Sequence, residues 1–140
     1  MLYTGGSPAA TLQKLEMAGL QGHFSTVFTA APHAFEDSAL SGLAGSGETN
    51  QALRQTIVQL TDKPKSSAAG YTAILEHLNV PAPSTLMTGD NIVEDVYRAQ
   101  KVGMRSAWAT WYAKTGQSKV IPDLVLTSPS ELTSLVKQSN

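Results

Sequence analysis

Short apolar runs that end in a glycine turn and open into a helical stripe recur along this chain. That recurrence restricts its fold more than any other feature. Met1-Leu2-Tyr3-Thr4 runs into Gly5-Gly6, after which Ser7 suits a helix N-cap and Pro8 the first helical position. Leu12, Leu15 and Met17 continue a helical stripe, and Gly19 closes it. Thr26 to Ala30 reads as a strand. Residues 67–79 read as a helix with Tyr71, Ile74, Leu75 and Leu78 on one face, ended by Pro81 and Pro83. Thr85 to Thr88 reads as a buried strand running into Gly89-Asp90-Asn91. A helix over 92–102 follows, stopped by Gly103. Ser106 to Thr110 and Leu124 to Leu126 are further strands, and Ser128-Pro129-Ser130-Glu131 is a capping box opening a C-terminal helix. Strands alternating with helices predict an α/β domain with a parallel sheet. In such sheets ligands bind at the carboxyl ends of strands, where Thr4 and Asp90 fall.

Residues 34–61 break the rhythm. Ala39 to Gly47 is small and loop-like, and Asn50 suits the cap of a helix carrying Leu53, Ile57 and Leu60. The stretch reads as a loop–helix insertion within one domain of 140 residues, either a lid over the strand ends or an ordinary surface crossover.

Composition narrows the chemistry. A formal net charge of −1 argues against a nucleic-acid binder and a polybasic membrane module. The absence of cysteine excludes disulfides, thiolate metal sites and cysteine nucleophiles. No apolar run approaches a membrane span of about 20 residues, and the N-terminus lacks the features of a signal peptide. A cytoplasmic location is the resulting expectation.

Three places carry chemistry. Gly89-Asp90-Asn91-Ile92-Val93-Glu94-Asp95 sets two carboxylates around a strand-to-helix turn, a placement that suits a hard cation such as Mg²⁺. The same two residues also suit turn capping and the helix dipole. Thr4-Gly5-Gly6 offers a hydroxyl and backbone N–H groups to a phosphate oxygen, or is simply a turn. Asp62-Lys63-Pro64-Lys65 offers positive charge to a phosphoryl group, or a solvated lysine pair. His23, His33 and His77 lack metal-ligand spacing, and Trp108, Trp111 and Tyr112 are explained by packing.

Taken in order, Thr4, Lys63, Asp90 and Asp95 resemble the motifs of the haloacid dehalogenase-like (HAD) hydrolase superfamily, most of whose members are phosphatases. Leu86-Met87-Thr88-Gly89-Asp90 through Asp95-Val96, with Ala99, Gly103 and Met104, is similar to the family's fourth motif and its following helix. The likeness is specific over residues 63–110, fair over 1–31 and absent over 34–61. It implies a Rossmann-like parallel sheet with flanking helices. It also implies that Thr4 and the Gly5 amide bind phosphoryl oxygens and that Lys63 neutralises charge there, with Lys65 its substitute if the loop register differs. Asp90 would hold Mg²⁺ and Asp95 would support it. The family's chemistry proceeds through an aspartyl-phosphate intermediate.

The departure concerns the nucleophile, which the family takes from an apolar strand ending in Asp-x-Asp upstream of the threonine motif. The aspartates here are Asp37, Asp62, Asp90, Asp95 and Asp123, and none belongs to such a pair. The resemblance therefore implies the C-terminal part of a phosphatase-type hydrolase, lacking its first, central strand and its cap domain. Removing that strand would leave inner sheet edges with unpaired N–H and C=O groups, for self-association or an N-terminal segment to complete. The expected partner is a small phosphorylated substrate, with no nucleic acid and no membrane. The alternatives are a non-catalytic Rossmann-like module that binds Mg²⁺, phosphate or a protein partner, and halide release from a haloacid. A two-component receiver domain fits poorly, because receivers place their acidic pair early and their Thr and Lys late.

Overall fold

The computed structural model describes residues 1–30, 56–60, 63, 65–112 and 119–138. The chain divides into two compact units, Met1–Lys65 and Ser66–Asn140.

The first unit holds β1 (Leu2–Thr4), α1 (Pro8–Met17), β2 (Thr26–Thr29) and β3 (Thr56–Gln59). The strands form a parallel sheet in the order β1-β2-β3, with Thr4 opposite Thr29 and Thr29 opposite Gln59. The Ser7 hydroxyl caps α1 by accepting the Ala10 N–H at 3.3 Å, and Pro8 occupies the first turn. At the other end Gly19 adopts φ +64°, and Leu20 N–H closes back onto Leu15 C=O at 2.8 Å. Pro8, Thr11 and Leu15 form the buried face of α1. Met17, read as part of the stripe, is instead 81% exposed. Two helical positions rotate a side chain by about 200°, so Met17 cannot share a face with Leu15. Val27 and Phe28 are fully buried in the central strand of this sheet. Truncating Phe28 to Ala there would cost about 3–5 kcal/mol.

β3 corrects the expected helix over residues 50–60. Thr56-Ile57-Val58-Gln59 pairs in parallel with Thr26–Thr29. Three consecutive β-branched residues lose side-chain freedom in a helix and fit a pleated surface. An i, i+4, i+7 pattern drawn from three apolar residues was too short to outweigh that preference. The remainder of the 34–61 insertion, except Leu60, lies outside the described residues, as does His33.

The second unit holds α2 (Ala68–Leu78), a 3₁₀ turn (Ala82–Ser84), β4 (Leu86–Gly89), a π-helical turn (Ile92–Tyr97), α3 (Arg98–Lys101), β5 (Arg105–Ala109), β6 (Leu124–Leu126) and α4 (Pro129–Gln138). Its strands are again all parallel, in the order β4-β5-β6. Tyr71 and Ile74 are 1% exposed, which gives α2 the buried face expected of it, while Leu75 and Leu78 are half-buried. Asn79, not a proline, ends α2: it takes φ +51°, and Val80 N–H bonds Leu75 C=O at 3.2 Å. Asparagine is among the few non-glycine residues that tolerate this region. Gly103, at φ +81°, stops α3 as expected.

The capping box of α4 is shifted by one residue. The Glu131 carboxylate accepts the Thr127 N–H at 2.7 Å and the Thr127 hydroxyl at 2.9 Å, while Ser128 Oγ lies 2.8 Å from Ser130 Oγ. No helix among the described residues is long and apolar enough to cross a membrane. The strands that the resemblance sets beside the missing one, β1 and β4, are edge strands of their own sheets.

Candidate active site

In the first unit, Thr4 ends β1 at the carboxyl edge of its sheet. Thr4 Oγ1 accepts the Gly6 N–H at 3.2 Å, which curls the chain into a tight turn. That bond uses a lone pair of the hydroxyl and leaves its proton available to donate. Lys65 lies against the same turn: its Cβ is 4.0 Å from where a Cβ on Gly5 would stand. Its ammonium sits 5.7 Å from the centre of the Tyr3 ring, a cation–π distance. Lys63 is exposed. The structure thus brings Thr4, Gly5 and Lys65 together, and places Lys63 on the surface of this unit.

In the second unit, Asp90 follows the last residue of β4 and is exposed, whereas Asp95 is 2% exposed. The two belong to one turn with an unusual backbone. Asn91 C=O accepts from Asp95 N–H at 2.8 Å and from Val96 N–H at 3.4 Å, so the helix opens with a π turn. Asn91 caps that turn through its side chain, which accepts the N–H groups of Val93 and Glu94 at 3.1 and 3.0 Å. Asp95 reciprocates, with Oδ2 accepting the Asn91 N–H at 3.0 Å. The carboxylate also lies flat against Gly89: a Cβ added there would collide with the Asp95 Oδ2, Cγ and Cβ atoms. Glycine at 89 is therefore a condition for Asp95 to fold back beneath the strand end.

Two further residues fix this turn, and neither stood out as functional in the sequence. The Trp108 indole N–H donates to the Asp90 carbonyl at 3.0 Å, tying β5 to the turn after β4. The Tyr71 hydroxyl donates to the Glu94 carbonyl at 2.6 Å, pinning the π turn to α2. Trp108 precedes the half-buried Trp111, while Tyr112 is 83% exposed. The only sequence signal for the Trp108 role is its position on the strand next in order after β4.

As oxygen donors, Asp90 and Asp95 fit a hard divalent cation. Mg²⁺ is commonly held by one or two carboxylates and completed by waters. The exposed Asp90 carboxylate suits direct ligation. Asp95, with one oxygen committed to Asn91, suits a supporting place. Among the described residues no group of three or more acidic or histidine side chains converges as a metal cluster.

At the opposite end of β5 lies a polar clasp. Asp123 Oδ2 accepts both the N–H and the hydroxyl of the fully buried Ser106, at 2.8 and 2.7 Å. Ser106 Oγ accepts in return from Asp123 N–H at 3.2 Å and from Gln100 Nε2 at 3.0 Å. Gln100 Nε2 also donates to Ile121 C=O at 2.8 Å. These bonds, the Ser106 hydroxyl foremost, hold the Asp123 carboxyl below the ordinary carboxylate range. They register β5 against the segment entering β6 and lie away from the strand ends that carry Asp90.

Comparison with known proteins agrees with this picture. The family model described as HAD-hydrolase-like matches residues 63–128. Among solved structures, a HAD phosphatase from Thermococcus onnurineus is similar at 21% identity and a TM-score of 0.51, over 93% of this chain and 57% of its own. A 2-haloacid dehalogenase from Pseudomonas syringae pv. Tomato DC3000 is similar at 20% identity and a TM-score of 0.51, over 95% and 54%. The HAD-hydrolase YfnB from Bacillus subtilis, solved bound to magnesium, is similar at 17% identity and a TM-score of 0.54, over 86% and 52%. The chain thus spans about half the length of these structures. No curated protein sequence matches it. At these identities the structures speak for the fold, and the family model speaks for the segment that carries Lys63, Asp90 and Asp95: residues 63–128 match the HAD-hydrolase-like model.

Proposed function

We propose that this chain is part of a Mg²⁺-dependent phosphatase acting on a small phosphomonoester, its aspartate nucleophile lying outside these residues. The observation that carries this reading is the turn at Gly89–Asp95. An exposed carboxylate stands at the carboxyl end of a parallel strand, and a buried carboxylate is folded behind it through a glycine. Asp90 would hold Mg²⁺, with Asp95 orienting the turn around it. When bound, the cation would supply charge neutralisation for a phosphoryl group. Thr4 and the Gly5 amide would bind phosphoryl oxygens, and Lys63 would neutralise charge on that group and on the nucleophile. The Trp108 and Tyr71 hydrogen bonds hold the Asp90 turn in place, which limits the reorganisation needed on binding.

Magnesium titration followed by backbone amide shifts tests the metal assignment. Asp90 and Asn91 are expected to shift saturably in the native chain and to stop responding in Asp90→Asn. A response that survives Asp90→Asn, or no response at all, removes the assignment. One observation favours a second reading, a non-catalytic module that binds Mg²⁺ or phosphate: no Asp-x-Asp occurs in the 140 residues. It predicts the same titration, with no turnover when an Asp-x-Asp strand is supplied.

A further inference from the structure

We propose that Trp108 and Val125 form an apolar shelf beside Asp90 that seats the aromatic group of a phosphomonoester; this rests on the phosphatase reading of the Asp90 turn. Gly89, Trp108 and Val125 are register partners across β4, β5 and β6, so they share one face of the second sheet. Neighbouring strands lie about 4.8 Å apart, and the row therefore runs about 10 Å outward from the strand end that carries Asp90. Its inner end is anchored, because the Trp108 indole N–H donates to the Asp90 carbonyl at 3.0 Å. The segment Ile92–Lys101 covers the same face over β4 and β5: Asp95 lies on Gly89, and Gln100 reaches Ser106, two residues before Trp108. Further out, Trp108 is half-buried and Val125 is 54% exposed on the edge strand. A ring extending in this direction from a phosphoryl group held at Asp90 would lie on those two side chains.

The row offers carbon and little else. Its one hydrogen-bonding side-chain group is the indole N–H, a single donor already given to Asp90. The hydroxyls of a sugar phosphate laid here would give up water without finding partners. An aromatic ring has no such loss and gains contact with the indole by offset stacking. The bond to Asp90 is made at the edge of the indole, so it fixes the ring's orientation without using its π-surface. The ligand class is an aryl phosphomonoester, for which phenyl phosphate is the probe and methyl phosphate the reference without a ring.

The test is a titration of the ¹⁵N-labelled full chain, in excess Mg²⁺, with each of the two esters. It is read at the amides of Asp90 and Asn91 and at the Trp108 indole N–H. Phenyl phosphate is expected to bind about tenfold more tightly than methyl phosphate, the effect of taking about one ring face out of water. Val125→Ser should lower that ratio to about threefold or less, and Val125→Ile should keep it within about twofold of the native value. Ile121→Ser removes an equally apolar side chain, 82% exposed, from the segment entering the amino end of β6 and should leave the ratio unchanged. Circular dichroism of each variant separates lost binding from lost folding, and Val125→Ala serves if Val125→Ser misfolds. A native ratio near one, a ratio that survives Val125→Ser, or an equal fall in Ile121→Ser overturns the shelf and leaves the phosphatase reading standing. A native chain that responds to neither ester overturns the phosphatase reading, and the shelf with it.

Discussion

At the residue scale, one glycine in a turn and one threonine in a strand show how little freedom the packing leaves. Gly89 is in contact with the Asp95 carboxylate, and a Cβ there would overlap three atoms of that side chain. Asp95 cannot move aside cheaply, because its Oδ2 holds the Asn91 N–H and the residue is 2% exposed. Gly89→Ala is therefore expected to destabilise the chain by about 1–3 kcal/mol, the usual range for overpacking, as read by urea denaturation. A midpoint equal to that of the native chain would show that Asp95 is not packed as described. Thr29 is the converse case. It is fully buried, and its Oγ1 has no hydrogen-bond partner among the described residues. Thr29→Val replaces that hydroxyl with a methyl group of nearly the same size. Since an unsatisfied buried hydroxyl costs roughly 1–3 kcal/mol, the variant should be more stable by about 1 kcal/mol in the same assay. A loss of stability would mean that the Thr29 hydroxyl has a partner when the chain is in solution.

At the scale of elements, hydrogen bonds distant in sequence decide the pH behaviour. Asp123 is held below the ordinary carboxylate range first by the Ser106 hydroxyl and then by the Ser106 N–H, against a smaller opposing effect of burial. A carboxyl depressed in the folded state stabilises it above the unfolded value of about 3.9, and that contribution is lost as pH falls through the folded value. The Tm of the native chain should therefore drop between pH 6 and pH 3 by more than that of Asp123→Asn, which carries no such titration. Equal drops would place the acid sensitivity elsewhere, Glu131 being the next carboxylate to test because Thr127 depresses it in the same sense. This clasp was invisible in the sequence, because Ser106 and Asp123 are joined only once β5 and β6 are placed side by side. What was legible was punctuated locally. Ser7, Pro8, Gly19 and Gly103 delimit their helices through their own backbone preferences, and the structure puts the boundaries there. β3 was missed because Leu53, Ile57 and Leu60 fall at helical spacing, which masked the strand preference of the β-branched run Thr56-Ile57-Val58 that pairs with β2. The π turn was missed for a different reason: the Asn91 cap and the Asp95 return bond fit an ordinary helix start equally well in sequence.

At the scale of the whole molecule, the chain presents two kinds of chemistry on two parallel sheets. Thr4, Gly5 and Lys65 gather at the carboxyl end of β1, and Asp90 with Asp95 at the carboxyl end of β4. In the proposed reading these would be an anion cradle and a cation turn, the electrostatic parts of phosphoryl transfer. Neither is a nucleophile. Asp95 is buried and engaged with the Asn91 N–H, and Asp123 is engaged with Ser106, so neither is poised to attack a phosphorus atom. Asp90, the exposed carboxylate, would be occupied by the cation in our reading. Covalent catalysis by a carboxylate needs one that is unencumbered and in line with the leaving group. The 140-residue chain with Mg²⁺ is therefore expected to hydrolyse p-nitrophenyl phosphate no faster than buffer. Fusing an apolar strand that ends in Asp-x-Asp upstream of Met1 should give turnover that Asp90→Asn abolishes. If the unmodified chain turns over substrate and Asp90→Asn stops it, one of its own carboxylates is the nucleophile and the division of labour argued here is wrong. If the fused chain binds Mg²⁺ and phosphate yet stays inert, the two turns are binding sites without catalysis, and the non-catalytic module becomes the better account.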